Sequence, residues 1–195
     1  MSPEIPHRKR VKHYHEPGDV HEFTFSCYRR MPLLMTDSRL RILSECIDNV
    51  IDPEKYRLIA FVLMPEHVHL LIYPLEPNPE LGRLLAAIKR PVSRQVKESL
   101  INGQNRLVET LTVQERPGKT VFRFWQKGPG YDRNLQTEKA VMAAIDYIHL
   151  NPVRRGLCQQ AREWKWSSAR FYESDGQHRG NDLPTIHGLP TGWLW

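Results

Sequence analysis

Apolar and polar residues alternate from Val20 to Cys27 in a stretch rich in Val, Phe and Thr, which predicts a first β-strand. After Arg29 and Arg30 the period changes: Leu40, Leu43, Ile47 and Ile51 recur at helical spacing behind a cap at Asp37 or Ser38, until Asp52-Pro53 stops the pattern. An amphipathic helix is expected there. Tyr56 to Met64 and His67 to Tyr73 are continuous apolar runs of strand length separated by the turn-like Pro65-Glu66, so they should pair as a hairpin. Asn78 as cap and Pro79 at the first helical position open a second helix with a buried stripe of Leu81, Leu84, Leu85, Ile88, Val92 and Val96. Pro91, inside that pattern, is expected to kink the helix or end its first half. Residues 101–121, with Asn102-Gly103 and Pro117-Gly118, read as loops with room for a short hairpin. The last clear helix begins near Thr137, carries Val141, Ala144, Ile145 and Ile148 inward, and is expected to end at Asn151-Pro152.

The second strand run holds the first candidate chemistry, because His67 and His69 flank Val68 within an otherwise apolar segment. On a strand, residues two apart point to the same face with Cα atoms about 6.6–7 Å apart, so both rings can reach one ion while Val68 enters a core. Two imidazoles leave most of a divalent ion's coordination open to oxygen ligands. Such a pair taken alone is more often hydrogen-bonded than metal-bound. His13-Tyr14-His15 has the same spacing without apolar flanks and is assigned no catalytic role. On the last helix Tyr147 and Asn151 are four residues apart and stack on a flank roughly 80–120° from the apolar stripe. His149 points away from Tyr147 and reads as a surface or packing residue.

The 195 residues, 40% of them hydrophobic, suffice for one domain with a sizeable core. A formal charge of +6 moderately favours polyanionic partners. The clustered Lys89, Arg90, Arg94 and Lys97 fit a solvated helix face and phosphate contact equally well. Three cysteines, Cys27, Cys46 and Cys158, lack both zinc spacing and an even count, and read as reduced thiols. The longest apolar run, Leu58 to Met64, is far short of a membrane span, and the polar, basic start lacks a secretory signal. A cytoplasmic location is therefore expected. Residues 1–18 are expected to form a basic mobile arm, 19–172 the folded domain, and 173–195 a C-terminal tail.

Leu63-Met64-Pro65-Glu66-His67-Val68-His69-Leu70-Leu71, together with Asp146-Tyr147-Ile148-His149-Leu150-Asn151-Pro152-Val153-Arg154, resembles the REP-associated tyrosine transposases. These are IS200/IS605-like single-strand DNA transposases within the HUH endonucleases. Phe124-Trp125-Gln126, Tyr131-Asp132-Arg133 and Trp166-Ser167-Ser168 support the likeness, which covers roughly residues 18 to 170. It implies a compact α+β fold, ferredoxin- or RRM-like, whose antiparallel sheet displays both histidines and carries helices on one face. By the same resemblance Tyr147 is the nucleophile, His67, His69 and Asn151 are ligands to Mg²⁺ or Mn²⁺, and the product is a 5′-phosphotyrosine. The implied partner is single-stranded or hairpin DNA at repeat ends, handled by a monomer or a homodimer, with a nucleoid-associated location in a bacterium.

The sequence departs from that pattern at Pro91, in the length of Asn102 to Val121, and at Lys127-Gly128-Pro129-Gly130, all of which concern recognition of DNA ends more than chemistry. Candidate DNA contacts are Lys89, Arg90, Arg94, Lys97, Arg133 and Arg154. Tyr131 is the rival nucleophile, and Trp125, Trp164 and Trp166 either stack on unpaired bases or seal the core. The alternative function is a non-catalytic nucleic-acid-binding module derived from a transposase. A cupin-like metal oxygenase also uses His-x-His on a strand, but Leu70 to Glu76 lacks the glycine-bearing pattern it needs.

Overall fold

The alternating first stretch forms β1 (Val20–Ser26) in a computed structural model that describes residues 15–128, 130–177, 180–190 and 193. Of the arm expected at residues 1–18, residues 1–14 lie outside the described residues, as do His13 and Tyr14 of the second His-x-His. The two apolar runs form β2 (Tyr56–Leu63) and β3 (His67–Pro74), paired antiparallel as expected. A further strand, β6 (Tyr131–Leu135), follows a hairpin of β4 (Thr112–Arg116) and β5 (Lys119–Phe122). The main sheet is antiparallel in the order β2-β3-β1-β6.

The helices divide between the two faces of this sheet, which corrects the expectation of helices on one face. Helices α1 (Asp37–Asp48) and α2 (Leu81–Asn102) pack with Phe23, Phe25, Leu58, Phe61, Val68, Leu70 and Ile72. Helix α4 (Glu138–Arg154) lies on the opposite face, where Val141, Ala144, Ile145 and Ile148 meet Val20, Ile59, Val62 and Leu71. A strand covered on both sides is apolar almost throughout, which is why β2 and β3 show runs in place of alternation.

Neither internal proline stops its helix. Helix α2 continues through Pro91 to Asn102, and α4 through Pro152 to Arg154, so the expected helix ends at these prolines are corrected. A proline removes one backbone donor and crowds the preceding turn at about 3 kcal/mol. In α2 the burial of Ile88, Val92 and Val96 offsets that cost, since each large aliphatic side chain removed from water contributes roughly 1.5–3 kcal/mol. In α4 the last turn is held by Arg155 N–H donating to Asn151 O at 3.1 Å and Leu157 N–H to Pro152 O at 2.9 Å. Asn151 therefore sits inside a rigid helix. At the other end Thr137 caps α4, its Oγ1 accepting from Ala140 N–H at 3.2 Å.

Between them, α3 (Leu107–Leu111) leads into the β4–β5 hairpin, whose turn uses Gly118 at φ 73°. The indoles of Trp125, Trp164 and Trp166 serve the fold, donating to Lys89 O, Leu63 O and Asp37 Oδ1 respectively. After the short α5 (Ala169–Glu173), the chain returns along the outer edge of β2, where His187 N–H donates to Leu58 O at 2.9 Å. That contact covers a strand edge that would otherwise be open to pairing.

His149 is a packing residue: it is buried in α4 with Nε2 2.8 Å from Ser168 Oγ, and burial pushes its pKa down from 6.5 to about 4. Between these values the unfolded chain binds the extra proton, so this stability is complete above pH 6.5 and is lost as pH falls toward 4. The loss is on the order of 3 kcal/mol. Urea midpoints measured across this window should fall more steeply for the wild type than for His149→Gln; parallel slopes would contradict the assignment.

Candidate active site

The pleat of β3 sends Val68, Leu70 and Ile72 toward α1 and α2, and His67, His69 and Leu71 toward α4. The imidazoles are 3% and 4% exposed, with ring centroids 4.8 Å apart and planes at 82°. Each is held through Nδ1. His67 Nδ1 lies 2.9 Å from Glu66 Oε1, which also receives Arg155 Nη2 at 3.1 Å. His69 Nδ1 lies 2.8 Å from Thr24 Oγ1, its register partner on β1. With Nδ1–H donated in both rings, the Nε2 lone pairs face the cleft.

Burial lowers the pKa of both histidines. For His69, burial is reinforced by His67 and Arg30 and takes the value down to about 3. For His67, burial outweighs the favourable Glu66 carboxylate. Both rings are consequently neutral at pH 7, the state in which imidazole coordinates a cation.

Helix α4 brings Tyr147 and Asn151 to the same spot. The Tyr147 ring stands edge-on to His69 at 5.6 Å between centroids, while remaining 42% exposed. Asn151 is buried beneath it with Nδ2 3.2 Å from His69 Nε2, and its Oδ1 is buried without a hydrogen-bond partner among the described residues. A buried, unpaired carbonyl oxygen costs roughly 1–3 kcal/mol. Half a turn of the amide would direct that oxygen at His69 Nε2. Two neutral imidazoles and one amide oxygen fit an oxygen-accepting divalent cation, leaving positions open for a further oxygen donor.

These groups line a cleft of about 630 Å³ that also contains Arg30, Arg133, Arg154 and Tyr131. Arg133 Nη2 is 2.7 Å from Glu22 Oε2. Arg154 Cζ lies 5.0 Å from the centre of the Tyr147 ring, a cation–π distance. Lys89 and Arg90 line a separate cleft with Trp125, between α2 and the β4–β5 hairpin, and Lys97 lies over Phe122 there. Arg94 lies further along α2 and lines neither cleft.

Sequence reasoning assigned no role to Thr24, Glu22, Glu66, Arg30 or Arg155. Arg29 and Arg30 adopt consecutive positive φ values of 51° and 53°, each costing a non-glycine residue about 1–3 kcal/mol. Arg30 N–H donating to Cys27 O at 3.0 Å and Arg29 N–H to Gln126 Oε1 at 3.1 Å hold the turn that brings Arg30 to the cleft. Two arginines after a strand were the only trace of it in the sequence.

Comparison with known proteins connects this arrangement to a family. The family described as "Transposase IS200 like" matches residues 19–116, which include β1 to β3 and both histidines. The Haemophilus influenzae protein named "Putative REP-associated tyrosine transposase" is 26% identical over 114 residues, 58% of each chain, so the chain spans somewhat over half the length of that relative. The Escherichia coli REP-associated tyrosine transposase is 22% identical over 157 residues, 80% of each. Among solved structures, a REP-associated tyrosine transposase bound to a REP hairpin shares the fold at a TM-score of 0.64 and 19% identity, covering 94% of this chain and 98% of that one. With half its length matched, including the strand that presents the paired imidazoles, the chain belongs to the IS200-like transposase family.

Proposed function

We propose that the protein is a divalent-cation-dependent, single-strand-specific DNA nickase and strand transferase acting at hairpin-bearing repeat ends. The observation that carries the reading is the convergence of Tyr147 and Asn151 on the Nε2 side of His69, with the amide oxygen of Asn151 buried and unpartnered. When bound by His67, His69 and Asn151, Mg²⁺ or Mn²⁺ would supply Lewis-acid withdrawal of charge from a non-bridging phosphate oxygen. Tyr147 Oη attacks phosphorus in line, forming a phosphotyrosine ester as the bond to the leaving 3′ oxygen breaks and that oxygen departs as a hydroxyl. Attack by another 3′-OH reverses the exchange and joins strands without ATP. Arg154, over the Tyr147 ring, and Arg30 both line the cleft, where phosphate charge would need compensation.

The hairpin partner rests on the relatives, whose names connect them with REP elements and one of which was solved on a REP hairpin. The second basic cleft, with Lys89, Arg90 and Trp125, suits duplex phosphates of a stem. Tyr147 lies beside His69 of its own chain, so a monomer carries a complete set of groups. No helix among the described residues is long and apolar enough to cross a membrane. A DNA-processing role suits a cytoplasmic, nucleoid-associated protein.

An oligonucleotide carrying the host's palindromic repeat should form a covalent protein adduct with Mn²⁺, abolished by Tyr147→Phe and retained by Tyr131→Phe on a denaturing gel. An adduct surviving Tyr147→Phe would move the nucleophile to Tyr131. Salt-sensitive binding undiminished by EDTA or His67→Ala, with no adduct, would instead establish the non-catalytic module. Thr24→Val removes the hydroxyl that orients His69, and Mn²⁺ affinity in a calorimetric titration should fall roughly 10–100-fold; unchanged affinity would separate Thr24 from the site.

A further inference from the structure

On the face of the sheet away from Tyr147, the residues entering β1 bring a second set of metal-ligating atoms together. His21 is fully buried, stacked on Phe23 with ring centroids 5.6 Å apart, and its Nδ1 lies 2.9 Å from Asp132 Oδ1 on β6. Donation of Nδ1–H to that carboxylate leaves the lone pair on Nε2. His21 Nε2 in turn faces His15 Nδ1 at 3.0 Å. Asp19, 2% exposed, completes the corner, with Oδ2 accepting from Glu16 N–H at 3.0 Å and from the Asn134 amide. One ligand atom from each of His15, Asp19 and His21 falls within 4.8 Å of the others.

We propose that His15, Asp19 and His21 form a second metal site, selective for a borderline transition-metal cation such as Zn²⁺ and structural in role. Two imidazole nitrogens and one carboxylate oxygen are the donor set of three-protein-ligand zinc sites, with a water completing a tetrahedron. Asp132 behind His21 is the carboxylate–histidine arrangement that fixes the tautomer and raises the basicity of a ligating ring. Ligand nitrogens on one tetrahedral Zn²⁺ lie roughly 3.3 Å apart, so the present 3.0 Å pair needs only a few tenths of an ångström of opening. A hydrogen bond between the two rings leaves His15 Nε2 buried without a partner among the described residues, whereas rotation of this half-buried ring can offer either nitrogen to an ion. The bound cation would tie the segment before Val20 to β1 and β6. This site takes no part in phosphoryl transfer. His15, which has no catalytic role by sequence, thus pairs with His21 across the corner.

The test is zinc stoichiometry on tag-free, full-length, metal-stripped protein. Wild type should bind two Zn²⁺ per chain and His67→Ala/His69→Ala one, with Co²⁺ giving that remaining site a tetrahedral visible absorption band. His15→Ala, at a half-buried position that leaves the core intact, should remove one equivalent from wild type and weaken the remaining site of the double variant at least tenfold; Asp19→Asn should act in the same direction. Circular dichroism in metal-free buffer should be unchanged by His15→Ala. Absence of zinc from the double variant, or zinc binding there undiminished by His15→Ala, would overturn the proposal.

Discussion

The antiparallel register of β3 on β1 determines where every group of the candidate site stands. His69 faces Thr24, His67 faces Ser26, and the intervening Val68 and Leu70 face Phe25 and Phe23 in the core. Side-chain direction alternates with a period of two, so a one-residue slip would drive both imidazoles into the aliphatic layer against α1 and α2 and turn Val68 and Leu70 toward the cleft. Hydrophobic burial on both faces makes that slip prohibitively costly. The geometry of the candidate site is in this sense a by-product of core packing.

Helix α4 converts the register into a site. Its apolar stripe seats on Ile59, Val62 and Leu71, and the flank that remains carries Tyr147 and Asn151 to His69. Continuation of the helix through Pro152 keeps Asn151 from fraying and brings Arg154 over the tyrosine ring. The surrounding polar and charged groups divide the work: Glu66 and Thr24 orient neutral rings, while Arg30 disfavours their protonation from a strained turn.

Much of this was legible in the residues. Strands β1 to β3 and the helices on either side of them follow from apolar spacing, and the His67/His69 and Tyr147/Asn151 pairs follow from periods of two and four. Other features left no local signal. Strand β6 reads Tyr-Asp-Arg-Asn-Leu and forms because β1 offers an edge, so tertiary pairing overrides weak propensity. Pro91 and Pro152 mimic helix stops because their local cost is visible in sequence, whereas the packing that offsets it is not. The two-faced covering of the sheet was implicit in the unbroken apolar runs of β2 and β3, a pattern expected of strands buried on both sides. Arg30 was illegible because nothing in Tyr-Arg-Arg-Met announces a positive φ.

The central claim is that the cleft between β3 and α4 holds one divalent cation between two neutral imidazoles and the Asn151 amide. Anomalous diffraction from crystals grown with Mn²⁺ tests it most directly. The account predicts a peak about 2.0–2.3 Å from the Nε2 atoms of His67 and His69 and from Asn151 Oδ1. No peak in that cleft at saturating Mn²⁺, or a peak ligated by neither histidine, would contradict it.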